Sequence, residues 1–214
     1  MAIKNKKILI TAGPTWVAID SARVISNIAS AETGILLAEK LKRCGAKVTL
    51  LLGPAERRCL NKGIRTLRFR FFDELKNTLL KELKSRRYDA VIHSAAVSDY
   101  RPKLTYNQKI SSHKKNWRLN LIQTPKLIDA IKKIQKTALL VGFKFIPQVK
   151  DKILIEEAKK LLRHAKADLV VANTIKQKSY AAFIVGSDKT QGPLLSKNAL
   201  AEALSRKLLC KRLN

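Results

Sequence analysis

Acids are scarce in this chain: 16 Asp and Glu stand against 44 Lys and Arg, a formal charge of +28. An imbalance of that size points to anionic partners, phosphate groups or nucleic acid. The basic residues nevertheless run along the whole length, as on a lysine-rich solvent surface, and no RNA-type aromatic motif accompanies them. Nucleic-acid binding is therefore the weakest of the functional readings. Cysteine is nearly absent. Cys44, Cys59 and Cys210 are scattered and odd in number, which excludes a zinc pattern or a disulfide framework and fits a reducing, cytoplasmic setting. No apolar run approaches the roughly 18 residues that span a bilayer, so no membrane partner is expected. The basic start, Met1–Lys7, precedes an apolar stretch too short for a signal peptide and leads into a strand. There is no internal repeat and no low-complexity tract. With 46% hydrophobic residues over 214 positions, one domain covering 1–214 with a sizeable core is expected.

Common site motifs are missing as well. No G-x-x-x-x-G-K-[ST] occurs, which excludes a Walker-type phosphate loop. No G-x-G-x-x-G follows the first strand: Gly13 leads into Pro14-Thr15, and the next glycine is Gly34. None of Tyr88, Tyr100, Tyr106 or Tyr180 has a lysine four residues on, which removes a short-chain reductase reading. His93, His113 and His164 are isolated, and no metal-ligand set can be assigned.

What is present is an alternation of strands and helices. Lys7–Ala12 is a short β-rich run stopped by Gly13-Pro14. A helical stripe follows over Ala31–Cys44, closed by Gly45, and Lys47–Leu52 is a second strand. Thr66–Phe72 is a candidate third strand, with Asp73 as N-cap of a helix to Arg87. Asp89–Val97 is continuously apolar, as a strand buried on both faces should be. Strands are further expected at Arg118–Ile122, Ala138–Phe145, Asp168–Ala172 and Ala181–Val185. Helices are expected from Pro125 to Gln135, over Lys150–Lys166, and over Lys197–Leu209 behind a Ser196 cap. The fold class is α/β: a doubly wound, mostly parallel, Rossmann-like sheet with helices on both faces. The polar, aperiodic residues 98–117 form a flap. In such sheets ligands sit beyond the carboxyl ends of strands near the switch in strand order, here the ends of Ile8–Ala12 and Asp89–Val97.

Three segments have a composition unusual for scaffolding. Thr11–Ser30 is rich in small and hydroxyl residues around Gly13, which permits close backbone approach to a phosphate or carboxylate. Within it Arg23 and Asn27 are four apart, a spacing that can share one helix face. Asp20 reads equally well as a simple cap. His93–Pro102 sets Ala95 and Ala96 before Asp99, an acid poised for a ribose or base amine or else an ordinary turn residue. Lys109, in the flap, is a cation able to close over a triphosphate, or one lysine among many.

Together these stretches resemble the phosphopantothenoylcysteine synthetase family, the ligase domain of the bacterial DNA/pantothenate metabolism flavoprotein. The family opening L-I-T-A-G-P-T-x-x-x-I-D-x-V-R-x-I-S-N is matched by Leu9–Thr15 and Ile19-Asp20-Ser-Ala-Arg23-Val-Ile-Ser-Asn27. Its G-A-K-V-T-L-V-x-G-P resembles Gly45–Pro54, its A-A-V-A-D-[WY]-[RK] resembles Ala95–Arg101, and its V-G-F and A-D-L-I-V-A-N resemble Val141–Phe143 and Ala167–Asn173. The order is collinear over nearly the whole chain. The resemblance implies a ligase of coenzyme A biosynthesis. CTP or ATP, with Mg²⁺, activates the carboxylate of 4′-phosphopantothenate as an acyl-nucleotide, and cysteine then displaces the nucleotide. It implies that Asn27 holds that intermediate with Arg23 beside it and that Lys109 serves the first half-reaction. It further implies that Asp99, Ala95, Ala96, Pro125, Lys126, Leu127, Ile128 and Phe143 contact the nucleotide. A homodimer is implied, and so is a separate flavin-dependent decarboxylase, since many bacterial members carry that half in front.

The departures from the family pattern fall in the site. The K-x-K-K flap reads Lys109-Ile-Ser111-Ser112, with Lys114 and Lys115 nearby. N-P-D-I reads Thr124-Pro125-Lys126-Leu127, an acid exchanged for a base. Two triphosphate lysines of the family fall on Leu161 and Ala165, next to Lys160, His164 and Lys166. A divergent member with another substrate, or without catalysis, is the alternative reading.

Overall fold

Continuous apolar runs such as Ile8-Leu-Ile and Leu50-Leu-Leu need cover on both faces, and the fold supplies it. The structure is a computed structural model, in which residues 3–55, 59, 61–113 and 115–210 are described. The chain runs β1 (Lys7–Ala12), β2 (Trp16–Ala18), β3 (Val24–Ser26), α1 (Glu32–Arg43), β4 (Lys47–Leu52), β5 (Arg65–Arg68), α2 (Phe72–Ser85), β6 (Ala90–His93) and β7 (Tyr100–Pro102). It continues β8 (Leu121–Gln123), α3 (Leu127–Ile134), β9 (Leu139–Phe145), α4 (Asp151–His164), β10 (Leu169–Lys176), β11 (Ser179–Val185), β12 (Thr190–Leu194) and α5 (Lys197–Cys210).

Eight strands form one sheet in the order β12-β11-β10-β9-β6-β1-β4-β5. The six from β10 to β5 are parallel, while β11 and β12 are antiparallel additions at one edge. The expected doubly wound sheet is thus present. Its order reverses between β1 and β6, because the chain first builds outward through β4 and β5 and then returns to the other side of β1. On one face Ile8, Ile10, Leu50, Leu52, Ile92 and Val171 pack under α1 and α5. On the other, Leu9, Leu51, Val91 and Leu140 pack under α2 and α3, and Val170 and Ala172 under α4. Lys40–Glu202 and Lys197–Glu32 ion pairs join α1 to α5. Among the described residues no helix is long and apolar enough to cross a membrane.

Several local expectations are corrected. The stretch between β1 and α1 is a hairpin of β2 and β3 rather than the start of a helix, so Arg23 and Asn27 do not share a helix face. Asp73 does not cap α2. The carboxylate of Glu74 instead reaches back to accept from the backbone N–H groups of Arg70 (2.6 Å) and Phe71 (3.2 Å), satisfying donors that the helix start would orphan. The strand expected over Asp89–Val97 ends at His93, because Ser94 to Ser98 leave the sheet to form the site. The flap is not wholly irregular: Tyr100–Pro102 pairs antiparallel with Leu121–Gln123. Thr190–Leu194 is an edge strand with no apolar alternation and went unread in the sequence.

Candidate functional site

At the carboxyl ends of β1 and β6 two backbone segments continue side by side past the sheet. Gly13, at φ +87°, turns the chain out of β1 in a conformation that side chains resist. Its carbonyl accepts from Ala96 N–H (2.9 Å), and Thr15 N–H donates to the Ala96 carbonyl (3.3 Å). Hydroxyls lock the pair. Ser98 N–H donates to Thr15 Oγ1 (2.9 Å), Ser98 Oγ donates to the Thr15 carbonyl (3.1 Å), and Ser94 Oγ donates to the Thr11 carbonyl (2.6 Å). Thr124 then ties the start of α3 to the same segment, with its Oγ1 donating to the Ser98 carbonyl (2.6 Å) and its N–H to the Asp99 carbonyl (2.9 Å). Beneath them lies His93, buried, with Nδ1 2.9 Å from Thr11 Oγ1; burial holds its pKa down to about 4. The imidazole is therefore neutral at physiological pH. Gly34 lets α1 approach: a Cβ there would lie 2.4 Å from the Ala12 Cβ and 2.9 Å from Ser94 Oγ.

Asn27 stands over this frame. Its side-chain Nδ2 donates to the carbonyls of Ala96 and Val97, both at 3.1 Å. Two acceptors cannot face a third, so this neighbourhood fixes which end of the amide is nitrogen. Asn27 is exposed, and with Nδ2 engaged in this way Oδ1 is the end of the amide that can accept. Asp99 follows on the same segment and receives Lys126 Nζ at 2.5 Å; the two side chains remain 61% and 48% exposed. The exchange of acid for base at Lys126 thus puts a cation beside Asp99.

The β2–β3 turn carries a second cluster. Asp20, with its side chain buried, accepts from the N–H groups of Ala22 and Arg23 (2.9 Å each), an Asx-type turn. It also receives Arg23 Nε (2.9 Å) and Nη2 (2.5 Å), and the N–H of Ile110 in the flap (3.1 Å). Arg23 Nη2 donates in turn to the Ile110 carbonyl (2.7 Å), and its Cζ lies 4.9 Å from the Trp117 ring centroid. The Arg23 guanidinium, more than any other neighbour, holds the Asp20 carboxyl far below the usual carboxylate range.

Gly13, Asn27, Ala95, Ala96, Asp99 and Lys126 therefore come together at the switch point. Pro125 and Lys126 lead into α3, whose Leu127 and Ile128 turn their side chains into the core and offer only backbone to a ligand. Phe143 is half-buried near the carboxyl end of β9, packed on the core under α1 and α5. Lys109 is exposed on the flap, one residue from the Asp20–Arg23 cluster. Lys114 lies outside the described residues; Lys115 is exposed. Leu161 and Ala165 are packing positions: a Cβ on Gly142 would meet Leu161 Cδ2 at 3.6 Å beside Ile128, and Ala165 is buried. Lys160 is engaged by Glu157 (2.6 Å) and His164 by Asp129 (3.2 Å). Among the described residues no three His, Cys, Asp or Glu side chains gather as a metal-ligand set. Sequence reasoning missed the Thr15–Ser98–Thr124 lock and the partners of Asp20. The second had a signal, a carboxylate three residues before an arginine in a turn.

A doubly wound α/β fold with its ligand frame at the strand-order switch defines the class. Residues 3–210 match the family described as DNA/pantothenate metabolism flavoprotein C-terminal domain, and the chain belongs to it. It is 35% identical over 207 residues to the coenzyme A biosynthesis bifunctional protein CoaBC of Thermococcus kodakarensis, covering 95% of this chain and 51% of that one. The chain spans about half the length of the curated relatives it matches. Among solved structures it is similar to the DNA/pantothenate metabolism flavoprotein of Streptococcus pneumoniae, with TM-score 0.85 and 30% identity over 95% of this chain and 98% of that one. It is also similar to the C-terminal domain of a CoaBC protein, with TM-score 0.79 and 26% identity over 97% and 96% of the two chains.

Proposed function

We propose that this chain is a phosphopantothenate–cysteine ligase unit, acting through an acyl-nucleotide with CTP or ATP in coenzyme A biosynthesis. The observation that carries the reading is Asn27, its amide nitrogen pinned on Ala96 and Val97 at the switch point, in a chain whose relatives include bifunctional proteins of that pathway. In the first step a carboxylate oxygen of 4′-phosphopantothenate attacks the α-phosphorus of the nucleotide, and the bond to pyrophosphate breaks. In the second the cysteine amine attacks the acyl carbon, losing a proton as the nucleoside monophosphate leaves. Both steps bring anions together, so fixed dipoles and cations placed in advance lower the barrier. Asn27 orients the acyl group, Lys109 and Lys126 face the phosphates, and Asp99 and the Ala95–Ala96 backbone meet the nucleoside. Backbone at Pro125, Leu127 and Ile128, together with Phe143, completes the nucleotide contacts. Mg²⁺ would travel with the triphosphate, held by phosphate oxygens, water and at most a carboxylate such as Asp99.

A homodimer fits the exposed apolar groups of the β7–β8 pair, Tyr100 (54%) and Leu121 (46%) on one side and Ile122 (39%) on the other. The flavin-dependent decarboxylation that forms the next step is assigned to a flavin-dependent decarboxylase unit, and a cytoplasmic location to both. The Lys126–Asp99 pair favours the second reading, a divergent member with another substrate. Pyrophosphate release with phosphopantothenate, cysteine and CTP or ATP decides between them. Turnover that collapses on Asn27→Asp and Lys109→Gln is expected; no release with either nucleotide would reject the ligase reading.

A further inference from the structure

Lys109 lies on a flap that the sheet does not hold. Tyr100–Pro102 pairs with β8 and Lys103 N–H donates to the Asn120 carbonyl (2.9 Å), while among the described residues 105–113 and 115–117 lie beyond that pairing. Tyr106 N–H donates to the Ile19 carbonyl (3.1 Å), and Thr105 Oγ1 to the Ala18 carbonyl (3.4 Å). The firmest attachment comes directly after Lys109. Ile110 is gripped at both backbone groups, its N–H by Asp20 Oδ2 and its carbonyl by Arg23 Nη2, and Trp117 is covered by the same guanidinium. Asp20 spends its acceptors on two turn N–H groups, the Arg23 fork and the flap. A carboxylate is needed there because every neighbour is a donor.

We infer that Asp20 and Arg23 form a clasp that holds the flap at Ile110 and so sets where Lys109 stands, which makes both positioning residues. The role given to Lys109 rests on the ligase reading; the clasp itself does not. Arg23 spends Nε and Nη2 on Asp20 and Ile110, and these contacts fix the flap geometry whatever its remaining Nη1 donors meet. Because a misplacement of about 1 Å can cost on the order of a hundredfold in rate, loosening this clasp should act on turnover more than on substrate affinity.

Two measurements test it. The first is the rate of tryptic cleavage after Lys109, followed by mass spectrometry on the full chain. Asp20→Asn puts an amide donor against donors and should speed that cut by about tenfold or more, a fold-change converted at 1.4 kcal/mol per decade. Arg23→Gln leaves the turn contacts of Asp20 in place and should do the same, which covers the case in which Asp20→Asn does not fold. An unchanged rate at Lys109 in a folded Arg23→Gln protein overturns the clasp. The second is a kinetic double-mutant cycle with Lys109→Gln. Asp20→Asn or Arg23→Gln alone should lower kcat with KM changed less than about threefold, and should add little once Lys109 is gone. Independent, multiplying losses overturn the positioning role, as does a raised KM for phosphopantothenate with kcat kept. If the wild-type chain turns over nothing, the ligase reading fails, and the cleavage comparison still decides the clasp.

Discussion

His93 offers the sharpest test of the site's physical chemistry. It ends β6 directly beneath the Thr11–Ala95 frame, is 8% exposed, and makes one side-chain hydrogen bond, to Thr11. Burial disfavours its charged form and lowers its pKa from 6.5 to about 4. In the unfolded chain the ring takes a proton as pH falls through 6.5; in the folded chain it does so only near 4. Between those values the unfolded state binds more protons, so stability falls as pH falls. Each pH unit in that window is worth about 1.4 kcal/mol, so His93 alone should cost about 2 kcal/mol at pH 5 and about 3 kcal/mol by pH 4. Those are sizeable fractions of the roughly 5–15 kcal/mol that hold a domain together. His93→Gln keeps a polar partner for Thr11 and cannot titrate. Urea unfolding of both proteins from pH 7.5 to 4 reads the difference, because all other groups cancel. The stability gap should move in favour of His93→Gln by about 2 kcal/mol between pH 7 and pH 5. Parallel curves, within about 0.5 kcal/mol, would refute the argument and place a proton acceptor near the ring.

Other outcomes follow from the same geometry. Gly34→Ala should destabilise by about 1–3 kcal/mol despite alanine's better helix propensity, because its Cβ would meet Ala12 at 2.4 Å; thermal unfolding and nucleotide titration should both register α1 moving off β1. Glu82 is buried beneath Arg65 (2.7 and 2.9 Å) and Tyr88 (2.6 Å), and the Arg65 hydrogen bonds chiefly lower its pKa. Glu82→Gln should therefore cost about 2–3 kcal/mol at neutral pH in urea unfolding, below the full buried-pair value because Arg65 is 42% exposed. That gap should close as pH falls through the carboxylate range, where the wild-type protein loses the same charge. Lys126→Ala should leave stability within about 1 kcal/mol, since the pair with Asp99 is exposed, while weakening nucleotide binding roughly tenfold in calorimetry. Tighter binding in that variant would show that Lys126 obstructs Asp99 rather than serving the phosphates.

The sequence by itself determined the layered fold. Strands such as Lys7–Ala12 and Lys47–Leu52 carry their own boundaries, because an apolar run buried on two faces is closed by Gly13-Pro14 or Gly53-Pro54. It also determined the family and where the candidate site is looked for, since the Thr11–Thr15 and Ala95–Asp99 segments are locally encoded and the order of strands puts them at the switch point. Other features were decided only in three dimensions. The β2–β3 and β7–β8 pairings are three residues long and have no period to read. The edge strand Thr190–Leu194 is held by its neighbour rather than by its own apolar pattern. The partners of Asp20 lie up to 90 residues away, and Lys126 meets Asp99 across 27. In sequence Asp20 is a candidate cap and Arg23 a basic residue among 44. Only the folded chain brings a flap backbone to them, and hydrogen bonds across that distance depend on where the sheet places each segment.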